Sequence, residues 1–185
     1  MNNAYGHEKT SSYCAFLRGV NVGGIAIKMK DVCTLFEELG LKSVSSVLAS
    51  GNILFTSDRA RIELKLTLEK ALSLRFAYEA FIFLVNQEEI EDIISSNPFA
   101  IDTNFHNYIF IGVDGIEHVL MREFENSQRA PDEEAQIVNN NFYWRIRKGN
   151  TIDSEFGKVL AKKKLKDSFT SRNINTLERV LRKMS

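Results

Sequence analysis

The sequence predicts an α+β protein in which two similar halves each hold an antiparallel sheet covered by helices. Three observations lead to this class. Short β-rich runs alternate with segments whose apolar residues recur at helical spacing. The order strand, helix, strand, strand, helix, strand occurs twice along the chain, with turn-forming residues between the adjacent strands. The chain then ends on one further amphipathic helix.

Four strands and three helices are predicted in the first half. The opening β-rich run ends at Gly19, and the helix that follows ends at Gly40. Residues 61–68 alternate as a strand would, but their continuation has helical spacing, and the whole segment is too long for a typical strand. We therefore predict a helix there. The predicted strands cover residues 13–18, 44–48, 53–56 and 80–85, and the helices cover residues 31–39, 59–75 and 88–95.

The second half repeats this order of elements, although few of its residues match those of the first half. A β-α-β-β-α-β order is that of a ferredoxin-like sheet with two helices on one face. We expect residues 1–11 to be a flexible N-terminus, residues 12–98 one ferredoxin-like subdomain and residues 99–185 a second one. The strands predicted here cover residues 108–113, 135–138, 142–147 and 169–171, and the helices cover residues 115–125, 154–165 and 176–184.

Composition places the chain among ordinary globular proteins. Its 185 residues are 44% hydrophobic and 26% charged, which suffices for a packed core and excludes wholesale disorder. The longest apolar runs are far too short to span a bilayer, and the first dozen residues lack the apolar stretch of a signal peptide. We expect a cytoplasmic protein that does not enter a membrane.

The net charge of zero hides an asymmetry along the chain. Residues 1–144 carry 12 basic and 20 acidic side chains, whereas residues 145–185 carry 12 basic and 4 acidic ones. A neutral total argues against strong unspecific binding to nucleic acid. The basic C-terminal part either attracts an anion or is balanced by acidic surface of the same chain, and the sequence leaves both interpretations open.

Cysteine and histidine usage argues against disulfides and metal sites. Cys14 and Cys33 cannot build a disulfide framework, and neither has the spacing of a metal ligand. The three histidines, His7, His106 and His118, are scattered, so we predict no metal and no cofactor. Both cysteines are expected to be buried thiols, because one lies on an apolar strand and the other within the first helix.

The first of three polar loop segments follows the first strand and contains Arg18, Asn21, Gly23 and Gly24. A glycine-rich turn before a helix lets backbone N–H groups approach an anion, and Lys28 adds a cation. The glycine spacing matches neither a Walker loop nor a dinucleotide-binding fingerprint. A plain turn with glycines at positive φ is therefore the alternative interpretation.

Ser50 and Asn52 form the second segment, on either side of a glycine. They are candidate ligand contacts, but residues of these types tolerate the left-handed conformation that tight turns require. A hairpin turn between two strands is therefore the favoured interpretation of this segment.

The third segment, residues 170–176, precedes the last helix. Asn175 and Glu178 have the spacing of a capping box, so we interpret Asn175 as the helix cap. Arg172 and Asn173 come before this cap, so helix capping does not explain why these two residues are present. They are the stronger candidates for ligand contacts in this segment.

These segments are similar to those of the bacterial domain-of-unknown-function 1697 family. The similarity extends from about Tyr13 to the C-terminus and implies a cytosolic bacterial protein with two ferredoxin-like subdomains. It brings motif positions but no catalytic residues. Two departures, the apolar residues 25–27 and Ile174, weaken the expectation of strong anion binding or base stacking. The matching strings are Ala15-Phe-Leu-Arg-Gly-Val-Asn-Val-Gly-Gly24, Lys28-Met29, Ala49-Ser-Gly-Asn52, Thr170-Ser-Arg-Asn173 and Asn175-Thr176.

Taken together, the loop residues favour a site for a small anionic ligand that carries phosphate or carboxylate, which guanidinium and amide groups recognise. The loops contain no histidine, cysteine or interleaved carboxylate, so binding is better supported than catalysis, and whether a reaction is catalysed stays open. Two arginines in one cleft would need an anion between them. The predicted convergent set is Arg18, Asn21, Gly23, Gly24, Arg172 and Asn173, with Lys28, Ser50 and Asn52 as further ligand contacts.

Two other functions stay open at this stage. Ferredoxin-like sheets bind single-stranded nucleic acid in RRM domains, where exposed aromatic residues stack on bases. This alternative is not favoured, because the RNP1 pattern is absent and aromatic residues on strands usually belong to the core. A protein-interaction or oligomerisation module is the third possibility, and the sequence does not predict an oligomeric state. The aromatic candidates for stacking are Tyr13, Phe16, Phe142, Tyr143 and Trp144.

Overall fold

The computed structural model of the protein describes residues 10–20, 27–161, 165 and 167–185. Its elements form two four-stranded antiparallel sheets, each with helices, and a C-terminal helix. The predicted α+β class with two ferredoxin-like halves is therefore confirmed. Within the described residues, every helix is too short or too polar to cross a membrane.

The first half has the predicted order of elements. They are β1 (Ser11–Arg18), α1 (Met29–Glu38), β2 (Lys42–Ser46), β3 (Asn52–Ser57), α2 (Arg61–Phe76), β4 (Phe81–Asn86) and α3 (Gln87–Ser95). The sheet order is β2-β3-β1-β4, with β1 antiparallel to both of its neighbours. Because β1 begins at Ser11, the last residue of the predicted flexible N-terminus is part of the sheet, and residues 1–9 lie outside the described residues.

The second half repeats this topology. Its elements are β5 (Phe105–Gly112), α4 (Ile116–Glu125), β6 (Glu134–Val138), β7 (Asn141–Arg147), α5 (Glu155–Leu160), β8 (Phe169–Asn173) and α6 (Ile174–Met184). The sheet order is β6-β7-β5-β8, in which β5 is the strand that corresponds to β1. Strand β8 is two residues longer than predicted and leads directly into α6.

The described chain separates into two compact units. One unit ends at Gln87 and also takes in Lys183–Ser185, whereas the other runs from Glu88 to Arg182. Helix α3 thus belongs with the second unit, where the Tyr143 hydroxyl donates a hydrogen bond to the Ile93 carbonyl oxygen at 2.9 Å. The limits at residues 98 and 99 stay a prediction about independently folding subdomains.

The core of the first half lies between its sheet and helices α1 and α2. Ala15 of β1 and Phe55 of β3 are buried against Phe36 of α1 and Leu68 of α2 in one apolar cluster. The rings of Phe36 and Phe55 meet edge to face, with their centroids 5.6 Å apart. Burial of this cluster stabilises the half-sheet, because apolar surface leaves water.

Helix α2 explains the ambiguous period-two pattern of its sequence. Leu64, Leu68 and Leu72 recur every four residues and are fully buried on one face. Ile62 and Leu66 lie on the other side of the helix, with 77% and 64% of their surface exposed. The alternation therefore came from apolar residues on two faces of a helix, and not from one face of a strand.

The core of the second half is unusually aromatic. Phe110, Phe142, Trp144 and Phe156 are buried together beneath Phe124 of α4. Trp144 and Phe156 meet edge to face at a centroid distance of 5.2 Å, the geometry that aromatic pairs prefer. This aromatic cluster fixes α4 and α5 on the sheet.

The two cysteines differ in their environments. Cys14 is fully buried, as predicted, whereas Cys33 is only partly buried. The prediction for Cys33 was wrong because this side chain lies at the edge of the α1 interface and not in its centre. Burial still raises the pKa of the Cys33 thiol above its ordinary value, so this thiol is a poor nucleophile near pH 7.

Candidate functional site

The glycine-rich segment after β1 is only partly described. Arg18 is the last residue of β1, where it is half-buried and lies opposite Phe81 of β4. Lys28 is exposed at the start of α1, and its carbonyl oxygen accepts the backbone N–H of Asp31 at 3.0 Å. The other three predicted contacts in this segment, at Asn21, Gly23 and Gly24, lie outside the described residues.

Ser50 and Asn52 are engaged in the turn between β2 and β3. The Asn52 side chain is fully buried, and its Nδ2 donates to the Val47 carbonyl oxygen at 2.7 Å and to the Ser50 hydroxyl at 3.0 Å. Gly51 has a φ of +75°, which favours glycine. These contacts give both polar residues a structural role in the hairpin turn, in agreement with the favoured interpretation of this segment.

Arg172 is held by its own strand. Its Nη1 donates to the Thr170 hydroxyl at 2.7 Å and to the Ser171 carbonyl oxygen at 2.8 Å. Arg172 belongs to the second compact unit and Arg18 to the first. The convergence of these two arginines on one ligand therefore stays a prediction.

Asn173 caps the last helix. Its Oδ1 accepts a hydrogen bond from the backbone N–H of Asn175 at 3.0 Å, as an N-cap side chain does with the second residue of a helix. The prediction of Asn175 as the cap is therefore wrong. The capping-box spacing placed the helix start two residues too late, because β8 runs into α6 without a loop between them.

The other end of the Asn173 amide contacts a histidine of the neighbouring strand. Asn173 Nδ2 lies 2.9 Å from His106 Nδ1. Since an amide nitrogen only donates, Nδ1 of the imidazole is the acceptor and carries no proton in this contact. Burial, reinforced by the nearby charge of Lys148, lowers the pKa of His106, so the ring is neutral at pH 7.

A cavity of about 130 Å³ lies at the start of α6. Pairing of β5 with β8, in which Tyr108 lies opposite Asn173, brings the start of β5 to the same place. The lining residues therefore come from three parts of the second half. They are Ile101, Asp102, Thr103, Phe105, Asn107, Lys148, Asn173, Ile174 and Asn175.

Asn107 is the most deeply buried polar side chain in the wall of this cavity. Only 7% of the residue is exposed. Its Nδ2 faces the carbonyl oxygens of Phe99 and Ala100 at 3.4 Å and 3.3 Å. Its Oδ1 has no hydrogen-bond partner among the described residues. A buried acceptor without a donor costs about 1–3 kcal/mol, so this atom needs an explanation.

Two opposite charges line the same cavity. Asp102 Oδ1 accepts the backbone N–H of Asn104 at 2.7 Å, and its Oδ2 lies 3.6 Å from the Arg145 guanidinium. Lys148 supplies the positive charge. Asp102 is not part of a metal cluster, since the described residues contain no group of three or more His, Cys, Asp or Glu side chains that could hold a metal ion.

The sequence matches a family model that covers most of the chain. The model is described as Protein of unknown function (DUF1697), and it matches residues 10–143. The chain belongs to this family. The match includes Asp102, Asn107 and the strand β5, and it ends before Lys148 and the β8–α6 junction.

Comparison with solved structures shows that the fold of the DUF1697 chain has been observed in another protein. The structure of a conserved bacterial protein from Streptococcus pneumoniae has a TM-score of 0.77 and 21% identity, with 96% of this chain and 100% of that chain covered. At this identity the likeness shows the fold alone. A structure of an unknown protein from Galdieria sulphuraria has a TM-score of 0.28 and 11% identity, with 95% of this chain and 92% of that chain covered. A TM-score this low does not indicate a shared fold. No curated protein matches the chain.

Four residues in or beside the cavity of this DUF1697 chain were not predicted from the sequence: Asp102, Asn107 and Lys148 line the cavity, and His106 contacts the lining residue Asn173. A signal for one of them was present, because Asn107 is a short polar residue inside a strand that is otherwise rich in apolar and aromatic residues. Lys148 and Asp102 lie in loops, where a single charged residue is ordinary. Their juxtaposition depends on strand pairing.

The strand aromatic residues of the DUF1697 chain do not form an exposed platform. Phe16, Phe142 and Tyr143 are fully buried, Trp144 is 1% exposed and Tyr13 is 9% exposed. Bases stack on aromatic faces that are open to solvent in RRM domains. This surface is absent at the five candidate positions, which therefore belong to the core.

A second, larger pocket of about 430 Å³ in the second half contains a buried carboxylate. Glu133 Oε1 accepts the indole N–H of Trp144 at 3.0 Å. Burial raises the pKa of Glu133 above its ordinary value of 4.5. The folded state therefore favours the protonated acid, and the stability that this supplies below pH 4.5 is lost as the pH rises through the raised pKa.

Glu133→Gln is expected to gain stability relative to the wild type as the pH rises. The difference in free energy of unfolding between variant and wild type should increase upward from about pH 4.5 and then become constant, because the amide does not ionise. Chemical unfolding followed by circular dichroism at several pH values measures this difference. Glu125→Gln, at an exposed position of α4, is the matched control. A difference that does not vary with pH for Glu133→Gln would contradict the prediction.

Proposed function

We propose that the protein binds a small anionic ligand, one that carries a phosphate or carboxylate group, in the cavity at the start of α6. The observation that carries the proposal is the position of this cavity at a helix N-terminus, with a lysine in its wall. The ligand class is the one that the loop residues predicted. The location is narrower than predicted, because it uses Asn173 and its neighbours in the second half.

The start of α6 favours negative charge for two physical reasons. The first N–H groups of a helix have no partner within the helix, and the aligned peptide dipoles place partial positive charge there. Asn173 Oδ1 satisfies the N–H of Asn175. Helix α6 has eleven residues and no acidic residue in its first turn, so no side chain of that turn offsets this partial charge.

Lys148 adds a full positive charge to the same cavity. Its side chain is exposed, so it is free to reorient toward an anion that enters from solvent. Charge-assisted hydrogen bonds from an ammonium group to a phosphate or carboxylate are about twice as strong as neutral ones. Lys148 is therefore the residue on which affinity for the anion depends most in this proposal.

Thermal denaturation with and without phosphate, acetate or propionate at low millimolar concentration tests the proposal. A bound ligand raises the melting temperature by mass action. We expect Lys148→Ala to weaken the apparent affinity about tenfold, the effect of losing one charge-assisted contact. Lys158→Ala, at an exposed position outside the cavity lining, is the matched control and should respond as the wild type does.

Two results would contradict the proposal. One is the absence of a shift with every anion of the panel. The other is an equal shift in wild type, Lys148→Ala and Lys158→Ala, because anions such as phosphate also stabilise proteins without binding to a site, through exclusion from the surface.

A further inference from the structure

We infer that the outer edge of β6 pairs with the same strand of a second copy of the chain, so that the protein forms a symmetric dimer. This inference is independent of the proposed anion site. An edge strand presents a row of unpaired backbone N–H and C=O groups, which pair with another chain unless something covers them. Within the described residues, β2, β4, β6 and β8 are the edge strands of the two sheets. Strand β6 differs from the other three.

The edge at β4 is covered by side chains of helix α2. The backbone N–H of Ile82 donates to Glu69 Oε1 at 2.9 Å, and the Ile82 carbonyl oxygen accepts from Lys65 Nζ at 2.9 Å. The two side chains also form an ion pair with each other. Both backbone groups of Ile82 are therefore occupied and do not accept a further strand at this point.

The edges at β2 and β8 carry similar cover. The Ser46 carbonyl oxygen of β2 accepts from Lys183 Nζ at 3.0 Å, and the Ser171 carbonyl oxygen of β8 accepts from Arg172 Nη1 at 2.8 Å. The register of β2 also shifts within residues 42–45, and such an irregularity hinders pairing at an edge. Each of these three edge strands thus has a cationic side chain on one of its carbonyl groups.

The edge at β6 has no such cover. The turn between β6 and β7 consists of Asn139 and Asn140, with φ values of +50° and +59°. In a hairpin with a two-residue turn, the residues that flank the turn exchange both hydrogen bonds, and the exchange recurs at every second pair. Ala135 and Ile137 fall between these pairs, so their N–H and C=O groups point away from β7. Among the described residues, none forms a hydrogen bond to these outward groups.

The outward groups of β6 are complementary to those of a second β6. When the strand lies antiparallel to its own copy with Gln136 on the two-fold axis, Ala135 of each copy lies opposite Ile137 of the other. All of the outward donors and acceptors then meet. An axis at Ala135 or at Ile137 would leave part of them unpaired, because β6 ends at Glu134 and Val138. A two-fold axis makes this contact identical for both copies.

Charge favours a second copy as the partner. In this register Glu134 lies opposite Val138 of the second copy, so no like charges face each other across the strand pair. Gln136, which is exposed and neutral, faces its own copy. The formal net charge of the chain is zero, so two copies do not repel each other at long range. Helix α4 packs on β6 and β7, and pairing would place both copies of α4 on one face of the joined sheet.

Sedimentation velocity of the full chain measures the dimer. Because a single strand pair is a small interface, we expect dissociation in the micromolar range, within a concentration series of about 5–500 µM. Ala135→Pro removes an outward N–H but no hydrogen bond to β7, as proline does at a tolerated edge position. It should weaken the dimer at least about tenfold, because each copy loses a donor. Circular dichroism checks that this variant is folded.

A charge-swap experiment tests the register. Gln136→Lys and Gln136→Glu each place like charges opposite each other on the axis, where side chains of a pair without hydrogen bonds lie closest. Each variant alone should dimerise about fivefold more weakly than the wild type, and an equimolar mixture should form a heterodimer tighter than either homodimer. Gln128→Lys and Gln128→Glu, at an exposed position outside β6, are the matched controls, alone and mixed.

Three results would overturn the inference. One is a wild-type chain that stays monomeric throughout the series, which would leave the edge of β6 to solvent or to a different partner. Another is an unchanged dimer in folded Ala135→Pro, which would place the contact on another surface. The third is a Gln136 mixture that associates no more tightly than its components, or a Gln128 mixture that behaves as the Gln136 mixture does. The Gln136 mixture decides the question by itself if Ala135→Pro does not fold.

Discussion

Trp144→Ala is expected to lower the free energy of unfolding by about 4 kcal/mol, the loss that large aromatic residues show when a core position is truncated. Trp144 is 1% exposed, and its ring contacts Tyr108 at a centroid distance of 5.6 Å and Phe156 at 5.2 Å. The substitution also removes the donor to Glu133 at 3.0 Å. A loss of this size is a large part of the stability of an ordinary domain, which is about 5–15 kcal/mol.

Trp144→Phe separates packing from hydrogen bonding in this prediction. It keeps an aromatic ring in the cluster but leaves the buried Glu133 carboxylate without its indole partner, at a cost of about 1–3 kcal/mol. Ile62→Ala, at a position that is 77% exposed, should change stability by less than about 0.5 kcal/mol. Because Trp144 is the single tryptophan of the chain, unfolding is followed by circular dichroism and not by fluorescence. A loss in Trp144→Ala no larger than that in Ile62→Ala would contradict the described core.

Gly112→Ala is expected to destabilise the second half by about 3 kcal/mol, as overpacking of a tight interior position does. Gly112 of β5 lies opposite Phe169 of β8. A methyl group there would lie 2.4 Å from the Ser168 carbonyl oxygen and 2.9 Å from the Phe169 Cβ. The closest atom belongs to the backbone, so the two strands would have to move apart. Urea unfolding followed by circular dichroism measures the loss.

Gly115→Ala is the matched control in the same half. A methyl group at this position has nothing within 4 Å, but the residue has a φ of +84°. Its cost comes from the left-handed backbone alone and is expected to be about 1 kcal/mol. Comparable losses of unfolding free energy in the two variants would contradict the prediction that the close approach of β5 and β8 leaves no room for a methyl group at Gly112.

Much of the fold followed from local patterns. The helix over α1 was predictable because Val32, Leu35 and Phe36 recur at helical spacing and become its buried face. The turn before β3 was predictable because its residues tolerate left-handed conformation. Helix α2 was harder, since exposed Ile62 and Leu66 imitated the alternation of a strand, and only helix propensity and length decided the prediction.

The candidate site was predictable only in part. The segment that contains Arg172 and Asn173 was recognised as unusual, and Asn173 does line the cavity. Its detailed role was not predictable, because the capping-box spacing at Asn175 and Glu178 indicated a later helix start. A strand that runs directly into a helix leaves no loop residues to mark the boundary, so the cap is determined by geometry at the junction.

The sequence by itself determined the α+β class, the doubled order of elements and the chemistry of an amide- and arginine-bearing segment before the last helix. Each of these depends on residues close together in the chain, whose periodicity and backbone preferences act locally. Only the tertiary structure decided that Asn173 meets His106, 67 positions away, and that Asn107 is buried with an unsatisfied oxygen beside the start of α6. Burial and hydrogen-bond satisfaction arise from the pairing of β5 with β8, which is a long-range contact that no local pattern contains.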